Sequence, residues 1–313
     1  MAQPTNTFDS YDAIGNREDL SDVITNISPT MTPFMSGIAK TTATATNHEW
    51  QTDELAAAAG NAVIEGNDAV TTASVPTVRL GNQTQISQKT PRVTGTQRKN
   101  DSAGRGDEMD YQVAKMAKEL KRDVEKALLD NNAKVTGNST TAREMAGVES
   151  WIATNTSAGA GGADPTGDGT DARTDGTQRA FLESDLKDVL AACADEGGEP
   201  DTILVGSFNK QTASAWTGNA TRTIDSTDQA LNTAVHVYVS DFGNLQIKFN
   251  RFQRSRSALV LDMNMWKFAT LRDFESSDLA KTGDTTRKQL LVEYTLESSQ
   301  EKASGIVADL TTS

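Results

Sequence analysis

The chain has 313 residues, of which 36% are hydrophobic and 5% aromatic, and its formal net charge is −13. The length is sufficient for a sizeable core, but the low aromatic content predicts that much of the chain lies in arms and loops whose apolar surface is completed by partners. The acidic balance argues against binding to a phosphate backbone, so we expect no specific nucleic-acid binding.

The number of cysteines and the hydropathy of the sequence restrict the cellular compartment of the protein. The single cysteine, Cys193, excludes an intrachain disulfide, and its helical context indicates a small core residue. No stretch approaches the roughly 20 apolar residues of a membrane span. The N-terminal sequence MAQPTNTFDSYDAIG has neither the basic nor the apolar region of a signal peptide. We therefore expect a soluble chain that is not exported and has no membrane partner.

The first residues resemble an arm. Residues 1–15 are polar and without periodicity, which is typical of a segment that becomes ordered on contact with a partner. Residues 17–28 predict a short helix that ends before two prolines. We expect its apolar side to contact a neighbouring copy through Leu20, Val23, Ile24 and Ile27.

A protruding hairpin is predicted next. The segment HEWQTDEL, which contains Trp50, favours a strand, and the small residues and turn signals of 56–72 indicate a flexible loop tip. A return strand follows, with strict alternation of side chains. Its less polar face is only half apolar, so the strand suits a contact between chains better than a core; this face consists of Val78, Leu80, Thr84 and Ile86.

A long amphipathic helix is predicted after Gly104 and Gly106. The period changes to that of a helix, with an apolar stripe from Val113 to Leu128, and carboxylates at its start complement the helix dipole. We expect about 25 residues, or about 37 Å.

The remaining elements alternate between helix and strand. The pattern predicts a helix at 179–196, a strand at 202–206, a helix from Asn209 and a hairpin between 235 and 252. Three further strands are predicted at 258–268, 289–297 and 304–310. In the strand at 289–297 the apolar residues share one face, which is typical of a half-buried strand; they are Leu290, Val292, Tyr294 and Leu296.

No residues indicate catalysis or a cofactor. The two histidines, His48 and His236, lie in strand-like segments, and common catalytic motifs and metal-binding pairs are absent from the sequence. We expect no enzyme activity and no metal site. An aspartate-rich run resembles a calcium loop, but its spacing is not that of an EF-hand, so a solvated surface loop is favoured; the run contains Asp164, Asp168, Asp171 and Asp175.

Three blocks carry a resemblance to a known family. They are 17–55, with the Thr-Pro-Phe turn and the sequence HEWQ; 82–132, from NQTQISQ to ELKRDVEKALLDNN; and 281–310, with EYTL near its centre. Together they are similar to the tailed-phage major capsid proteins of the Hong Kong 97 type, specifically the podophage-like group. The middle, 156–257, matches that pattern only loosely.

The resemblance implies an α+β fold with four parts. They are an N-arm (1–45), an extended β-hairpin loop (46–100), a peripheral domain with a long spine helix (101–156 and 258–313), and an axial domain (157–257). It implies a protein that assembles in the host cytoplasm, as hexamers and pentamers, into an icosahedral head around double-stranded DNA. Scaffold, portal and cement proteins are the further partners it implies. We expect contacts between copies at the N-arm stripe already named and at Phe34, Trp50, Val78, Leu80 and Ile86.

Two matters remain open from the sequence. Another phage structural protein, such as a tail tube or decoration protein, is the alternative, although the long helix directly after a hairpin favours a capsid protein. Some relatives join neighbouring subunits by a Lys–Asn isopeptide bond, but no lysine occurs between Trp50 and Gln88 of this chain. We therefore expect a shell held together without covalent cross-links.

Overall fold

The computed structural model describes residues 31–69, 71–100, 106–216 and 237–313. The predicted N-terminal stripe and His236 lie outside these residues. The described elements mix helices and strands in one chain, as the α+β prediction requires. None of the described helices combines the length and apolarity that crossing a bilayer demands.

One sheet is built around a long antiparallel hairpin near the C-terminus. Strands β11 (Trp266–Asp278) and β12 (Thr285–Ser298) pair from Trp266↔Ser298 to Asp278↔Lys288. The short strand β1 (Ala39–Thr42) adds to β11 in parallel, and β4 (Gln85–Lys89) adds to the other side of β12. Strand β5 (Arg92–Thr94) pairs with the beginning of β12. Chain segments from both ends of the sequence therefore meet in one sheet.

Strand β12 is buried on both faces, which corrects the half-buried prediction. Leu290, Val292, Tyr294 and Leu296 face the main apolar cluster, as predicted. On the other face Glu293 accepts hydrogen bonds from Arg143 at 2.6 Å and Arg272 at 2.9 Å, and is itself buried. The alternate charged residues that suggested a wetted face are instead paired with cations from neighbouring segments, which makes their burial tolerable.

The long helix is present as predicted. Helix α3 (Glu108–Leu129) has 22 residues, about 33 Å at 1.5 Å per residue. Asp107 caps it by accepting a hydrogen bond from the Met109 amide at 2.8 Å. Leu120, Val124 and Leu128 are fully buried in the same cluster as β12. Two short helices flank this sheet, α1 (Pro33–Gly37) and α2 (Gly95–Lys99).

A second sheet has six strands. Their order is β6 (Thr156–Ser157), β13 (Gly305–Val307), β10 (Ala258–Leu261), β7 (Thr202–Val205), β9 (Gly243–Phe249) and β8 (Val237–Ser240). Helices α4 (Glu183–Asp195) and α5 (Ser207–Ser214) contribute to an apolar cluster on one face, with Ile203 and Val205 of β7. Leu204 of the same strand joins the first cluster, so this sheet separates two cores.

The strand predicted at 258–268 is divided in two. Strand β10 ends at Leu261, and the side chain of Asp262 accepts a hydrogen bond from the Asn264 amide at 3.0 Å, which caps a 3₁₀ turn at Met263–Met265. The chain then enters the other sheet as β11. The apolar run continues across the turn because both sheets bury it, so the hydropathy pattern does not reveal the change of sheet.

The predicted hairpin is present and stands apart from both sheets. Strands β2 (Asn47–Thr52) and β3 (Val78–Gln83) pair in an antiparallel manner from Asn47↔Gln83 to Thr52↔Val78. The described residues between 53 and 77 form neither helix nor strand. The second half of the return segment, β4, belongs to the first sheet, so the hairpin itself ends at residue 83.

Candidate functional site: a surface for contacts between copies

The base of the hairpin is fixed to the body by aromatic packing and an ion pair. The Trp50 ring of β2 lies 5.2 Å from the Trp151 ring, measured between centroids, and Trp151 is fully buried. Two residues earlier, His48 Nε2 lies 2.9 Å from Glu297 Oε2 of β12. Alternation along β2 places both side chains on the face that meets the body.

Glu297 is held in its ionised form. The hydrogen bond from His48 and the Lys267 ammonium, 2.7 Å from Glu297 Oε1, lower the pKa of Glu297 to about 2, against the opposing effect of burial. The Glu297 carboxylate is little exposed and is held by two partners, so its position is fixed. It therefore connects the hairpin to β12, the longest described strand.

The return strand is held by a fully satisfied buried amide. Asn82 donates from Nδ2 to the Leu296 carbonyl at 2.8 Å and to the Ala146 carbonyl at 3.2 Å, and its Oδ1 accepts from the Ala146 amide at 2.9 Å. Lys134 donates to the Gly81 carbonyl at 2.7 Å and to the Asp168 carbonyl at 2.8 Å. Both strands therefore leave the body in a defined direction.

The loop beyond this base exposes large apolar side chains. Leu55 is 98% exposed, Ile64 83% and Val75 81%, and Val63 is similarly exposed. Most residues of this loop are small and uncharged. Such a composition does not favour a loop that is solvated on all sides. Exposed apolar surface can mark a contact site between proteins, which makes this loop a candidate for one. A rigid base with an apolar tip is suited to reach another protein surface.

A second apolar surface lies at the edge of the six-stranded sheet. In the edge strand β8, Tyr238 turns inward and donates to Glu183 at 3.0 Å, while Val237 and Val239 on the other face are exposed. Phe242, in the turn to β9, is also exposed. Among the described strands β8 pairs only with β9, and an edge with apolar side chains can accept another strand or surface. Alternation around Tyr238 is the sequence signal that would have identified this surface.

The predicted contact residues divide into three groups. Val78 and Ile86 are exposed and available to a partner, whereas Leu80 and Trp50 are half-buried against the body. Phe34 is fully buried in its own chain, with its ring centroid 6.4 Å from that of Trp266, so its predicted contact with another copy is corrected to a core position. The remaining predicted residues lie outside the described part of the chain: Leu20, Val23, Ile24 and Ile27.

The aspartate-rich loop is not a free solvated loop, which corrects that prediction. Asp164 pairs with Arg173, which is buried, and Asp175 accepts from Arg254 at 2.8 Å. Arg254 also bonds the buried Glu149 at 2.5 Å. The loop is therefore fastened to the body by ion pairs. Within the described ranges no group of three or more His, Cys, Asp or Glu residues is arranged to hold a metal ion.

The side chains of Cys193 and His48, which could in principle take part in catalysis, are engaged in packing and ion pairing. Burial raises the pKa of the Cys193 thiol to about 12, which leaves no thiolate for nucleophilic chemistry near neutral pH. His48 is engaged with Glu297, as described above. These two positions therefore support the packing and ion-pair functions assigned to them and provide no catalytic arrangement.

Comparisons with known proteins are consistent along the whole chain. A family model described as SU10 major capsid protein matches residues 3–311. The major capsid protein of Escherichia phage Phieco32 is 28% identical, and the match covers 98% of this chain and 97% of that protein. The structure titled "Cyanophage A-1(L) capsid asymmetric unit" superposes with a TM-score of 0.67 at 12% identity, over 95% of this chain and 98% of the other. A structure of Gordonia phage Cozz gives 0.64 at 9% identity, over 99% and 98%.

Proposed function

Because this chain belongs to the SU10 major capsid protein family, we propose that its copies associate as hexamers and pentamers and enclose a double-stranded DNA genome. It is a major capsid protein of a phage head, and its fold is of the Hong Kong 97 type. This family assignment replaces the alternative of a tail tube or decoration protein.

The observation that best supports self-association is the hairpin. Its base is fixed by Trp50, His48 and Asn82, and its tip exposes Val63 and Ile64. Covering an exposed apolar tip is favourable by about 25 cal/mol per Å² of buried apolar surface. A rigid base reduces the conformational entropy that is lost on docking. The contact is heterologous, since the tip meets a different surface of the next copy, and such contacts close into rings.

We assign four parts to the chain. Residues 1–45 form the N-arm, 46–100 the extended loop, 101–156 and 258–313 the peripheral domain, and 157–257 the axial domain. The six-stranded sheet crosses the border between the peripheral and axial domains. Strand β10 of the peripheral range pairs with β7 of the axial range, and β13 pairs with β6, whose two residues lie on either side of the border. The axial domain then carries the exposed edge with Val239 and Phe242.

The function is structural rather than catalytic. The buried thiol of Cys193 and the engaged imidazole of His48 support this, as does the role of the family. In the infected cell we expect assembly in the cytoplasm, with scaffold, portal and cement proteins as further partners. The net charge of −13 favours a wall that repels packaged DNA rather than one that binds a sequence in it.

The hairpin tip is tested by V63D/I64D. Two charges at these exposed positions would make burial of the tip costly, while the subunit itself loses no intrachain contact. We expect normal circular dichroism and thermal unfolding of the subunit, with shell formation lost in electron micrographs. The matched control is T71D/T72D, which adds the same two charges to exposed polar positions of the same loop. Normal shells from V63D/I64D would contradict the proposed role of the tip.

A further inference from the structure

A row of cations follows one side of helix α3. Lys115, Lys118, Arg122 and Lys126 are spaced by three, four and four residues, which places them on one face of the helix. We call these four residues the basic face. The three lysines are exposed, and the Arg122 guanidinium lies over the Phe252 ring at 5.7 Å from its centroid. From Lys115 to Lys126 the basic face extends about 16 Å.

The basic face is poorly neutralised by its own surroundings. The nearest acidic residues on the helix surface are Glu119 and Asp123. Glu119 is four residues after Lys115, but both carboxylates pair with Lys89, at 3.9 and 2.8 Å. Lys126 lies 3.3 Å from Asp130. For Lys115 and Lys118, the described part of the chain offers no carboxylate within the 4.0 Å of an ion pair. Two exposed lysines without an ion-pair partner, on a chain of net charge −13, favour an anionic partner.

The N-terminal segment of the same chain has the complementary charge. Residues 1–30 contain one basic residue, Arg17, and five carboxylates, which are Asp9, Asp12, Glu18, Asp19 and Asp22. If 17–28 is helical, as its sequence predicts, Glu18, Asp19 and Asp22 lie on the side opposite Leu20, Ile24 and Ile27. The segment then has one acidic side and one apolar side.

The point at which this segment joins the body is next to the basic face. The amides of Phe34 and Met35 each donate to the Glu125 carboxylate of α3 at 2.8 Å. Glu125 is three residues from Arg122, so the chain reaches the body within one helical turn of the basic face. With 17–28 helical, the chain from Asp22 to Thr32 can span about 22 Å, which is longer than the basic face. Nothing in this geometry requires a second copy.

We propose that the acidic side of the N-terminal segment, Glu18, Asp19 and Asp22, docks on the basic face of α3 in the same copy. This inference rests on the proposed function only in assigning 1–45 to the N-arm. Docking in this orientation presents the apolar side, with Leu20 and Ile24, to the adjacent copy. The ion pairs therefore set the direction of the arm, while the apolar contacts join neighbouring subunits.

The proximity is tested in the full-length chain by D19C/K118C. Mild oxidation should produce an intrachain disulfide, visible as a faster band in SDS gels without reductant and absent with it. Cys193 does not interfere, because it is buried and its thiol has a raised pKa. The matched control, D19C/D123C, places the second thiol on another side of the same helix. A disulfide yield no higher than that of the control, or mainly interchain dimers, would overturn the proposal.

Proteolysis of soluble subunits with reversed charges tests whether the docking depends on ion pairs. We expect K115E/K118E to accelerate chymotrypsin cleavage after Phe8 and Tyr11 by about fivefold, which corresponds to roughly 1 kcal/mol of lost ion pairing. Adding D19K/D22K should restore the original rate, and K99E/K281E, which reverses two exposed lysines elsewhere, should not change it. An unchanged cleavage rate, together with reduced nucleic-acid retention in K115E/K118E particles, would assign the face to nucleic acid and overturn the proposal. Because the disulfide and cleavage readouts use soluble subunits, a failure of shell formation does not affect them.

Discussion

His48 of the hairpin and Glu297 of β12 are joined by a 2.9 Å contact between Nε2 and Oε2, and Lys267 binds the other carboxylate oxygen at 2.7 Å. This contact connects the hairpin, which forms a two-stranded sheet of its own, to β12, an inner strand of the first sheet. The attachment of the hairpin to β12 therefore depends on pH.

The first prediction concerns Glu297. Its folded pKa is lowered from 4.5 to about 2, so its stabilisation is fully present above the unfolded value and is lost as the pH falls from about 4.5 to 2. We expect E297Q to lower the free energy of unfolding by about 2 kcal/mol at pH 7, and by much less near pH 2. Urea unfolding of the unassembled subunit at both pH values measures this. An equal loss at both would show that the charge of Glu297 is unimportant.

The second prediction concerns Glu125, a buried carboxylate whose hydrogen-bond partners in the described part of the chain include no cation. It accepts from the amides of Phe34 and Met35 and from Asn250 at 2.7 Å, and burial raises its pKa. Since E125A leaves three donors without an acceptor, we expect a loss of about 3 kcal/mol and faster hydrogen exchange at both amides. E119A, at a more exposed position of the same helix, is the control and should cost less than 1 kcal/mol.

The sign of the pH effect at Glu125 is opposite to that at Glu297. A raised folded pKa means that the folded chain binds the proton more tightly, so this residue contributes more to stability as the pH falls through that pKa. Amide exchange at Phe34 and Met35 that is equal in E125A and the wild type would show that Glu125 does not hold α1.

Much of this architecture could be predicted from the sequence, but only where a local sequence pattern alone determines the element. Helix α3 has an uninterrupted apolar stripe and Asp107 at its cap, and both the hairpin and β12 show clear alternation. The family resemblance implies that Phe34 lies in an arm, whereas a distant carboxylate, Glu125, caps a short helix there. Such long-range polar contacts leave no local signal.

The same limit applies to the contact surfaces. The buried face of β12 with Glu293 and the aspartate-rich loop with Asp164 look solvated in sequence, because their cationic partners, Arg143 and Arg173, are identified only by the fold. Exposed Val78 and Ile86 were predicted from alternation alone. The tip residues Val63 and Ile64 were overlooked because small residues and turn signals around them indicated only flexibility.

The third prediction concerns removal of residues 1–28. This deletes the stripe of Leu20, Val23, Ile24 and Ile27, which we expect to contact an adjacent copy. Shells should dissociate at lower temperature or lower urea concentration than wild-type shells, while the circular dichroism of the subunit remains that of a folded chain. A truncated subunit that loses its secondary structure, or melts at a much lower temperature as a monomer, would place the segment in the core.

The fourth prediction concerns how neighbouring subunits are joined. An isopeptide bond from the hairpin requires a lysine there, and none occurs between Trp50 and Gln88. Cys193 is buried and cannot form a disulfide network. Purified particles boiled in SDS should therefore give a single band near 33.5 kDa. A ladder of dimers to hexamers would show covalent joining.

Self-association of this chain into closed shells is tested most directly by purifying the protein, expressed alone or with its scaffold, and examining it by light scattering and electron microscopy. We predict large closed or tubular assemblies, because the hairpin tip and the β8 edge expose apolar surface on the described part of the chain, and we expect other copies to cover it. A stable, monodisperse 33.5 kDa monomer at high concentration, with no particles at any salt concentration, would contradict this prediction.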